Sequence, residues 1–421
     1  MKDKDETMTT STDQNILILG AGQAAGTAVA SLRQFGHKGP ITLIGDEPAP
    51  PYQRPPLSKA YFKGELPEER LFVKPLSFYE TQNVTLRLGT SAKTLERANK
   101  TVTMEDGTSL SYDKLIIATG SRPRTLPVKG ADLDGVLTLR SLADVEKLQV
   151  YATPGRRIVV IGAGYIGLEA AAVARQMGLE VTVLEASERV LARVTSPTIS
   201  EFYQTVHRQN GVDIRVSARM EGLEGDGSHV TGVKMADGDI IPADVVLVGI
   251  GILPNQDLAE AAGLLCENGI NTDAEARTND PDIYAIGDCA NREIVQYGYR
   301  GRLESVHNAI EMGKIAAASI CGKPAPKLDA PWFWSDQYDL KLQTAGLLTG
   351  FDQAVVRGDM EAHKFSVWYL KGGRFLAVDA INVPGDFMAA KRLVGSGAIL
   401  DPQELADVMS DLKSLVLTAV S

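Results

Sequence analysis

Apolar residues along this chain gather into short unbroken runs, each followed by helical spacing, and the arrangement occurs twice. The run ILIL at 16–19 passes through Gly20-Ala21-Gly22 into a helical pattern ending near residue 35, and IVVI at 158–161 passes through Gly162-Ala163-Gly164 into another ending near 178. Each leads on to a further strand, ITLIGDE at 41–47 and VTVLEA at 181–186. Strand, helix and strand in that order predict a βαβ unit, twice over. Residues 84–112 alternate polar and apolar around Glu105-Asp106-Gly107, and 212–241 do so around Asp237-Gly238, as small antiparallel sections would. The runs LIIATG at 115–120 and VVLVGIG at 245–251 close the two units alike.

A third run, DIYAIGDCA at 282–290, ends in an acid and precedes helical spacing over 307–322, which reads as the first domain resumed. Residues 323–331 are a proline-rich linker, and beyond them KFSVWYL and FLAVDAINV predict a mixed domain that holds all three tryptophans. The expected fold class is therefore α/β: two Rossmann-like dinucleotide-binding domains plus a C-terminal α+β domain. Its boundaries are expected at 15–121 and 250–328 for the first nucleotide domain, 122–249 for the second and 329–421 for the last, after a disordered opening at 1–14.

Composition narrows the function classes more than the fold. At 421 residues the chain exceeds the size at which one core stops growing, and 44% hydrophobic with 23% charged residues is ordinary for a globular protein. A formal charge of −10 disfavours nucleic acid as a main partner, because phosphate binding takes a broad cationic surface. No run reaches the roughly 18 consecutive apolar residues of a membrane span, and residues 1–15 lack the apolar block of a signal peptide, so the chain reads as cytoplasmic with no membrane partner. Cys266, Cys289 and Cys321 are odd in number and scattered, and read as buried small side chains. His37, His207, His229, His307 and His363 show no metal-ligand spacing and read as surface or capping groups, so no metal is expected.

The candidate chemistry lies in the glycine turns. At Gly-x-Gly the backbone turns tightly and approaches a pyrophosphate, which rests on the unpaired amides of the helix start. Two such turns point to two bound nucleotides. An acid ending the second strand of each unit accepts hydrogen bonds from ribose hydroxyls: Glu185 in the second unit, and Asp46 with Glu47 in the same region of the first. A carboxylate there repels a phosphorylated ribose, so NADH is expected rather than NADPH, although Arg189 and Arg193 lie nearby in sequence.

The motifs GAGQAAG, PPLSKAY, LIIATGSRPR, LRSL, GAGYIGLE, RVLARV, DIYAIGDCA, RLESVHNA and PWFWSDQYD together resemble the FAD-dependent pyridine-nucleotide reductases of glutathione-reductase fold. Within these they are most similar to the ferredoxin reductases that serve bacterial oxygenases. The resemblance covers essentially everything after residue 15. It implies FAD in the first nucleotide domain, with Gly20, Gly22, Ala24 and Ala25 at the pyrophosphate and Asp46 and Glu47 toward the ribose. Ala25 stands at the third glycine position, a change the fingerprint tolerates. Arg54, Lys59, Ala92, Thr119, Gly120, Arg140, Asp288, Val306 and Trp334 are implied around the flavin. Asp288 would accept a bond from a ribityl hydroxyl, cap the turn that follows it, or do both. NAD is implied against Gly162, Gly164, Tyr165, Ile166, Gly167, Glu169, Glu185 and Gly251.

The same likeness implies an ion pair between Lys59 and Glu169 near the flavin's reactive nitrogen, and Trp334 at the flavin's other face; the other reading of Trp334 is a core or dimer-interface aromatic. Tyr165 would cover the nicotinamide pocket until NADH displaces it, or simply pack. Trp332 reads as structural. Similar peroxidases, NADH oxidases and coenzyme A disulfide reductases carry a redox cysteine in this stretch, whereas here it reads Leu57-Ser58-Lys59. Glutathione and lipoamide reductases need a cysteine pair on the first unit's helix, and none is there. Electrons would then leave the flavin directly, which suits a one-electron protein acceptor.

The expected activity is that of an NADH-dependent ferredoxin reductase whose [2Fe-2S] ferredoxin feeds a haem monooxygenase or ring-hydroxylating oxygenase. The expected assembly is a monomer or weak dimer. Docking an acidic ferredoxin on an acidic protein calls for local basic residues, for which Arg70, Lys74, Arg300 and Arg302 are candidates. Two rival readings stay open: an NADH oxidase or diaphorase with a small-molecule acceptor, and a redox-dependent interaction protein like the apoptosis-inducing-factor relatives.

Overall fold

A computed structural model describes residues 13–420, so of the opening expected to be disordered, residues 1–12 lie outside the described residues. The chain divides into two compact units. The first comprises the residues up to Arg54, Glu68–Arg122 and Leu253–Asp329; the second comprises Pro55–Pro67, Pro123–Ile252 and the chain from Ala330 onward.

In the first unit a five-stranded parallel sheet runs in the order Val84–Leu88, Ile41–Gly45, Ile16–Leu19, Lys114–Ile117, Ile283–Ala285. All four residues of Ile16–Leu19 are buried, which explains the unbroken apolar run: a central parallel strand meets cover on both faces. Helix Gln23–Gln34 buries Ala24, Ala25, Ala28, Val29 and Leu32, and packs on helix Val306–Ile320. Their approach is close, since a Cβ on Gly313 would stand 2.9 Å from the Ala24 carbonyl oxygen.

The second unit repeats the design, with strands Asp213–Arg215, Glu180–Leu184, Arg157–Ile161, Val245–Val248 and Val136–Leu137 in that order, all parallel. The fifth strand differs in origin. In the first unit it comes from late in the chain, and in the second it precedes the glycine turn. Strand order reverses beside Ile16–Leu19 and Arg157–Ile161, so each glycine turn sits at the switch point where such sheets bind ligands.

Two expectations change. Residues 84–88 and 213–215 are parallel edge strands of the large sheets, not parts of antiparallel sections. The antiparallel pieces are shorter: Ala92–Glu96, Thr101–Met104 and Ser109–Ser111 in the first unit, and Met220–Gly225, Val230–Met235 and Ile240–Pro242 in the second.

The C-terminal part of the second unit is an antiparallel sheet in the order Trp332–Gln337, Leu340–Gly346, Arg374–Ile381, Lys364–Lys371, Gln353–Asp359. Trp368, Phe375 and Phe387 fill the core beneath helix Pro384–Lys391. Trp332–Gln337 lies at the sheet edge. Among the described residues, no helix is long and apolar enough to cross a membrane.

Candidate nucleotide and electron-transfer sites

Gly20 and Gly162 take positive φ values of 109° and 103°, and a Cβ on them would stand 2.2 Å from Ala118 O and 2.4 Å from Gly249 O. Neither position admits a side chain. Gly22 and Gly164 differ: nothing lies within 4 Å of where their Cβ would be. Each is the N-cap of its helix, and neither helix is capped by a side chain. Helices Leu142–Gln149, Pro197–Gln209 and Val306–Ile320, by contrast, are capped by the hydroxyls of Ser141, Ser196 and Ser305. Unpaired amides beside open space suit a pyrophosphate, so both turns fit a dinucleotide. Ala25 is the counterpart of Gly167, whose missing Cβ would meet Gly162 O at 2.2 Å. Ile166, on the first turn of its helix, is exposed.

The acids fall out of step. Gly20 N–H donates to Ile44 O at 2.8 Å and Gly162 N–H to Leu184 O at 2.7 Å, so the counterpart of Glu185 is Gly45, and Asp46 stands one place further on. A Cβ at Gly45 would meet that of Ala21 at 2.5 Å, which keeps an acid out of that position. Asp46 is exposed at its strand end. Glu47 turns instead to the Tyr52 hydroxyl at 2.7 Å and to Arg54 at 2.8 Å. The Glu185 carboxylate accepts the amides of Ala163 and Ser187, each at 2.8 Å, and lines a cavity of about 270 Å³ with Gly162, Gly164 and Arg193. Arg189 is committed elsewhere, donating to Thr195 O, Ala192 O and Ser200 Oγ. Arg193 is exposed on the cavity wall, its guanidinium 3.3 Å from where a Cβ on Gly251 would be.

Of the residues implied around the flavin, the first unit holds Arg54, Ala92, Thr119, Gly120, Asp288 and Val306, and the second holds Lys59, Arg140 and Trp334. Thr119 and Gly120 are tied to Asn255: Thr119 Oγ1 donates to Asn255 O at 2.7 Å, and Asn255 returns bonds to Thr119 O and Gly120 O. Asp288 lies inside the 3₁₀ turn Gly287–Cys289, which a strand follows, and accepts from Ser121 Oγ at 2.9 Å. Val306 is the first helical residue after Ser305, and Ala92 opens its strand half-buried. Arg140 precedes Ser141, its N–H donating to Asp144.

In the second unit Lys59 Nζ donates to Glu169 Oε2 at 2.6 Å. Glu169 is buried on helix Tyr165–Gln176 and also accepts from Ser58 Oγ at 2.5 Å and Ser335 Oγ at 2.6 Å. The strand Trp332–Gln337 explains this convergence. Its side chains alternate, placing Phe333, Ser335 and Gln337 on one face. Phe333 meets the Tyr165 ring at 4.6 Å, Ser335 meets Glu169, and Gln337 meets His207 at 2.8 Å. Trp334 stands on the other face, 5.4 Å from Trp332, which packs on Phe387 and the C-terminal core. Tyr165 is half-buried, and burial, reinforced by Asp379, pushes its phenol well above its ordinary value. Asp379 is itself enclosed, accepting from the hydroxyls of Thr195, Thr344 and Tyr369, and burial pushes its carboxyl up.

Sequence reasoning singled out Lys59, Glu169, Tyr165 and Trp334 but missed Ser58, Phe333, Ser335, Gln337, His207 and Asn255. Period-two alternation within FWSDQ was the available signal for three of them. His37 and His207 are buried rather than at the surface; Cys289 and Cys321 are buried, as the sequence implied, whereas Cys266 is only half-buried. Among the described residues, no three His, Cys, Asp or Glu side chains gather as a metal site. Of the docking candidates, Arg302 donates to Asp288 O and pairs with Glu304, and Arg300 donates to Thr272 O and Asn291 O. Lys74 lies over the Phe78 ring and Arg70 is exposed.

Two family models match the chain: pyridine nucleotide-disulphide oxidoreductase over residues 14–313 and reductase C-terminal over residues 332–416. The chain is 44% identical to rhodocoxin reductase of Rhodococcus erythropolis over 95% of its own length and 93% of that protein's. It is 42% identical to putidaredoxin reductase CamA of Pseudomonas putida, covering 97% of this chain and 98% of the relative. Its fold superposes on the reductase of the covalent putidaredoxin reductase–putidaredoxin complex with a TM-score of 0.94, at 41% identity over 97% of this chain and 99% of that one.

Proposed function

Because the chain belongs to the pyridine nucleotide-disulphide oxidoreductase family, we propose that it is an NADH-dependent ferredoxin reductase serving a haem monooxygenase or ring-hydroxylating oxygenase. It is an oxidoreductase with FAD and NAD(H) as cofactors and a [2Fe-2S] ferredoxin as partner. FAD supplies the exchange between a two-electron donor and a one-electron acceptor. The observation that carries the reading is the Lys59–Glu169 pair. A lysine holds the place where related enzymes keep a redox cysteine, and neither nucleotide helix carries a thiol, which leaves direct exit from the flavin. The rhodocoxin and putidaredoxin reductases support a ferredoxin as acceptor.

In this reading the amides after Gly22 and Gly164 bind the two pyrophosphates, and Glu185 accepts the adenosine ribose hydroxyls of NADH. Asp46, Thr119, Gly120 and Asp288 hold FAD from the first unit. Lys59 sets a positive charge toward the flavin, Glu169 holds that lysine, Tyr165 guards the nicotinamide pocket, and Trp334 shields the opposite face. We assign 15–121 and 250–328 to FAD, 122–249 to NAD and 329–421 to the C-terminal domain, and place the protein in the cytoplasm. Arg70, Lys74, Arg300 and Arg302 are the docking candidates.

Stopped-flow reduction tests the donor, and mixing with ferredoxins, quinone and oxygen tests the acceptor. The expected outcome is reduction at least roughly tenfold faster with NADH than NADPH, the size of one unfavourable charged contact. Ferredoxin should then reoxidise the protein faster than quinone or oxygen. A preference for NADPH overturns the role of Glu185, and faster turnover with oxygen or quinone restores the oxidase reading.

A further inference from the structure

Behind the Lys59–Glu169 pair the polar groups form an unbroken line. Glu169 Oε1 accepts from Ser335 Oγ at 2.6 Å, Ser335 Oγ accepts from Gln337 Nε2 at 3.2 Å, and Gln337 Oε1 lies 2.8 Å from His207 Nε2. His207 Nδ1 in turn lies 3.2 Å from the Tyr338 hydroxyl. An amide oxygen only accepts, so Nε2 carries the ring proton and Nδ1 accepts from Tyr338. Every donor then points one way, from Tyr338 toward Glu169.

Three members of this line, Ser335, Gln337 and His207, are at most 1% exposed. Polar side chains so deep are costly unless fully matched, and apolar ones would fill the same space without that demand. Their arrangement also spans distinct elements: the helix Pro197–Gln209 supplies His207, the edge strand supplies Ser335 and Gln337, and the second nucleotide helix supplies Glu169. The line ends on the carboxylate that holds Lys59.

We infer that Gln337 and His207 are positioning residues for the Lys59–Glu169 pair, fixing the Glu169 carboxylate through Ser335 and, through it, the Lys59 ammonium. The catalytic consequence rests on the reading that Lys59 faces the flavin; the line itself does not. With Ser335 no longer fixed, the carboxylate keeps only its Oε2 partners, Ser58 and Lys59, and the place of the ammonium beside reduced flavin loosens.

The test uses the holoenzyme and the variants Gln337→Met and His207→Phe, chosen to keep volume while removing the donors. Both are expected to lower the flavin midpoint potential by about 30 mV, a tenfold change in a two-electron reduction equilibrium. Lys59→Met should lower it by at least as much, with no further change when Gln337→Met is added to it. His207→Gln, whose amide can still donate, should recover most of the shift. Nitrogen-15 spectra of wild-type His207 should show the proton on Nε2. Potentials unchanged in Gln337→Met and His207→Phe while Lys59→Met shifts, or a proton found on Nδ1, overturn the inference. If Lys59→Met itself leaves the potential unchanged, the flavin-facing reading fails and the line is decided by the spectra: His207 resonances displaced by Glu169→Gln uphold it, and unmoved resonances overturn it.

Discussion

Lys59 and Glu169 expose 18% and 5% of their side chains, so each depends on the other for the charge it keeps out of water. Removing one partner from such a pair typically costs about 3–5 kcal/mol, whereas removing both costs far less than the sum. Lys59→Met and Glu169→Leu are therefore each expected to lower stability by about 3 kcal/mol, with the double variant well short of additive, as read from denaturant midpoints at equal flavin loading. Additive losses would mean that the two charges stand alone. The pair was legible because both residues sit in recognisable motifs. Ser58 and His207 were not: Ser58 meets Glu169 across 111 residues and His207 meets Gln337 across 130, and no local pattern encodes such meetings.

For a glycine turn, what matters is which glycine is changed. Gly22→Ala adds a methyl where nothing lies within 4 Å, so the protein should keep its circular dichroism while losing FAD. Gly20→Ala puts that methyl 2.2 Å from a backbone oxygen at a φ of 109°, and should not accumulate as folded protein. Equal flavin content in purified Gly22→Ala and wild type would remove the pyrophosphate from that turn. Both βαβ units could be read from apolar runs because their central strands are buried on both faces. Val84–Leu88 and Asp213–Arg215 misled for the opposite reason. At a sheet edge only part of the strand is covered, so the residues alternate as an antiparallel strand does.

Burial pushes the His207 imidazole down to about 4, against an ordinary value of 6.5, so the folded protein holds it neutral while the unfolded chain takes up a proton. Stability contributed by this group is complete above pH 6.5 and is lost as pH falls toward 4, by about 3 kcal/mol at most. His207→Phe should flatten that part of the stability profile, measured as unfolding free energy against pH; an unchanged slope would place the proton uptake elsewhere. Charge at the scale of the whole chain was legible only as a sum. A net charge of −10 argued against nucleic acid, yet it could not reveal that Arg300 and Arg302 are engaged with backbone carbonyls.

The first sheet is completed by Ile283–Ala285, which pairs with Lys114–Ile117 only after the entire second nucleotide fold has intervened. During synthesis the earlier strands must therefore wait, one border of their sheet bare, until residues 118–282 have followed. A nascent chain stalled before that point presents an open template for pairing with its neighbours, and truncations ending there should aggregate rather than capture flavin.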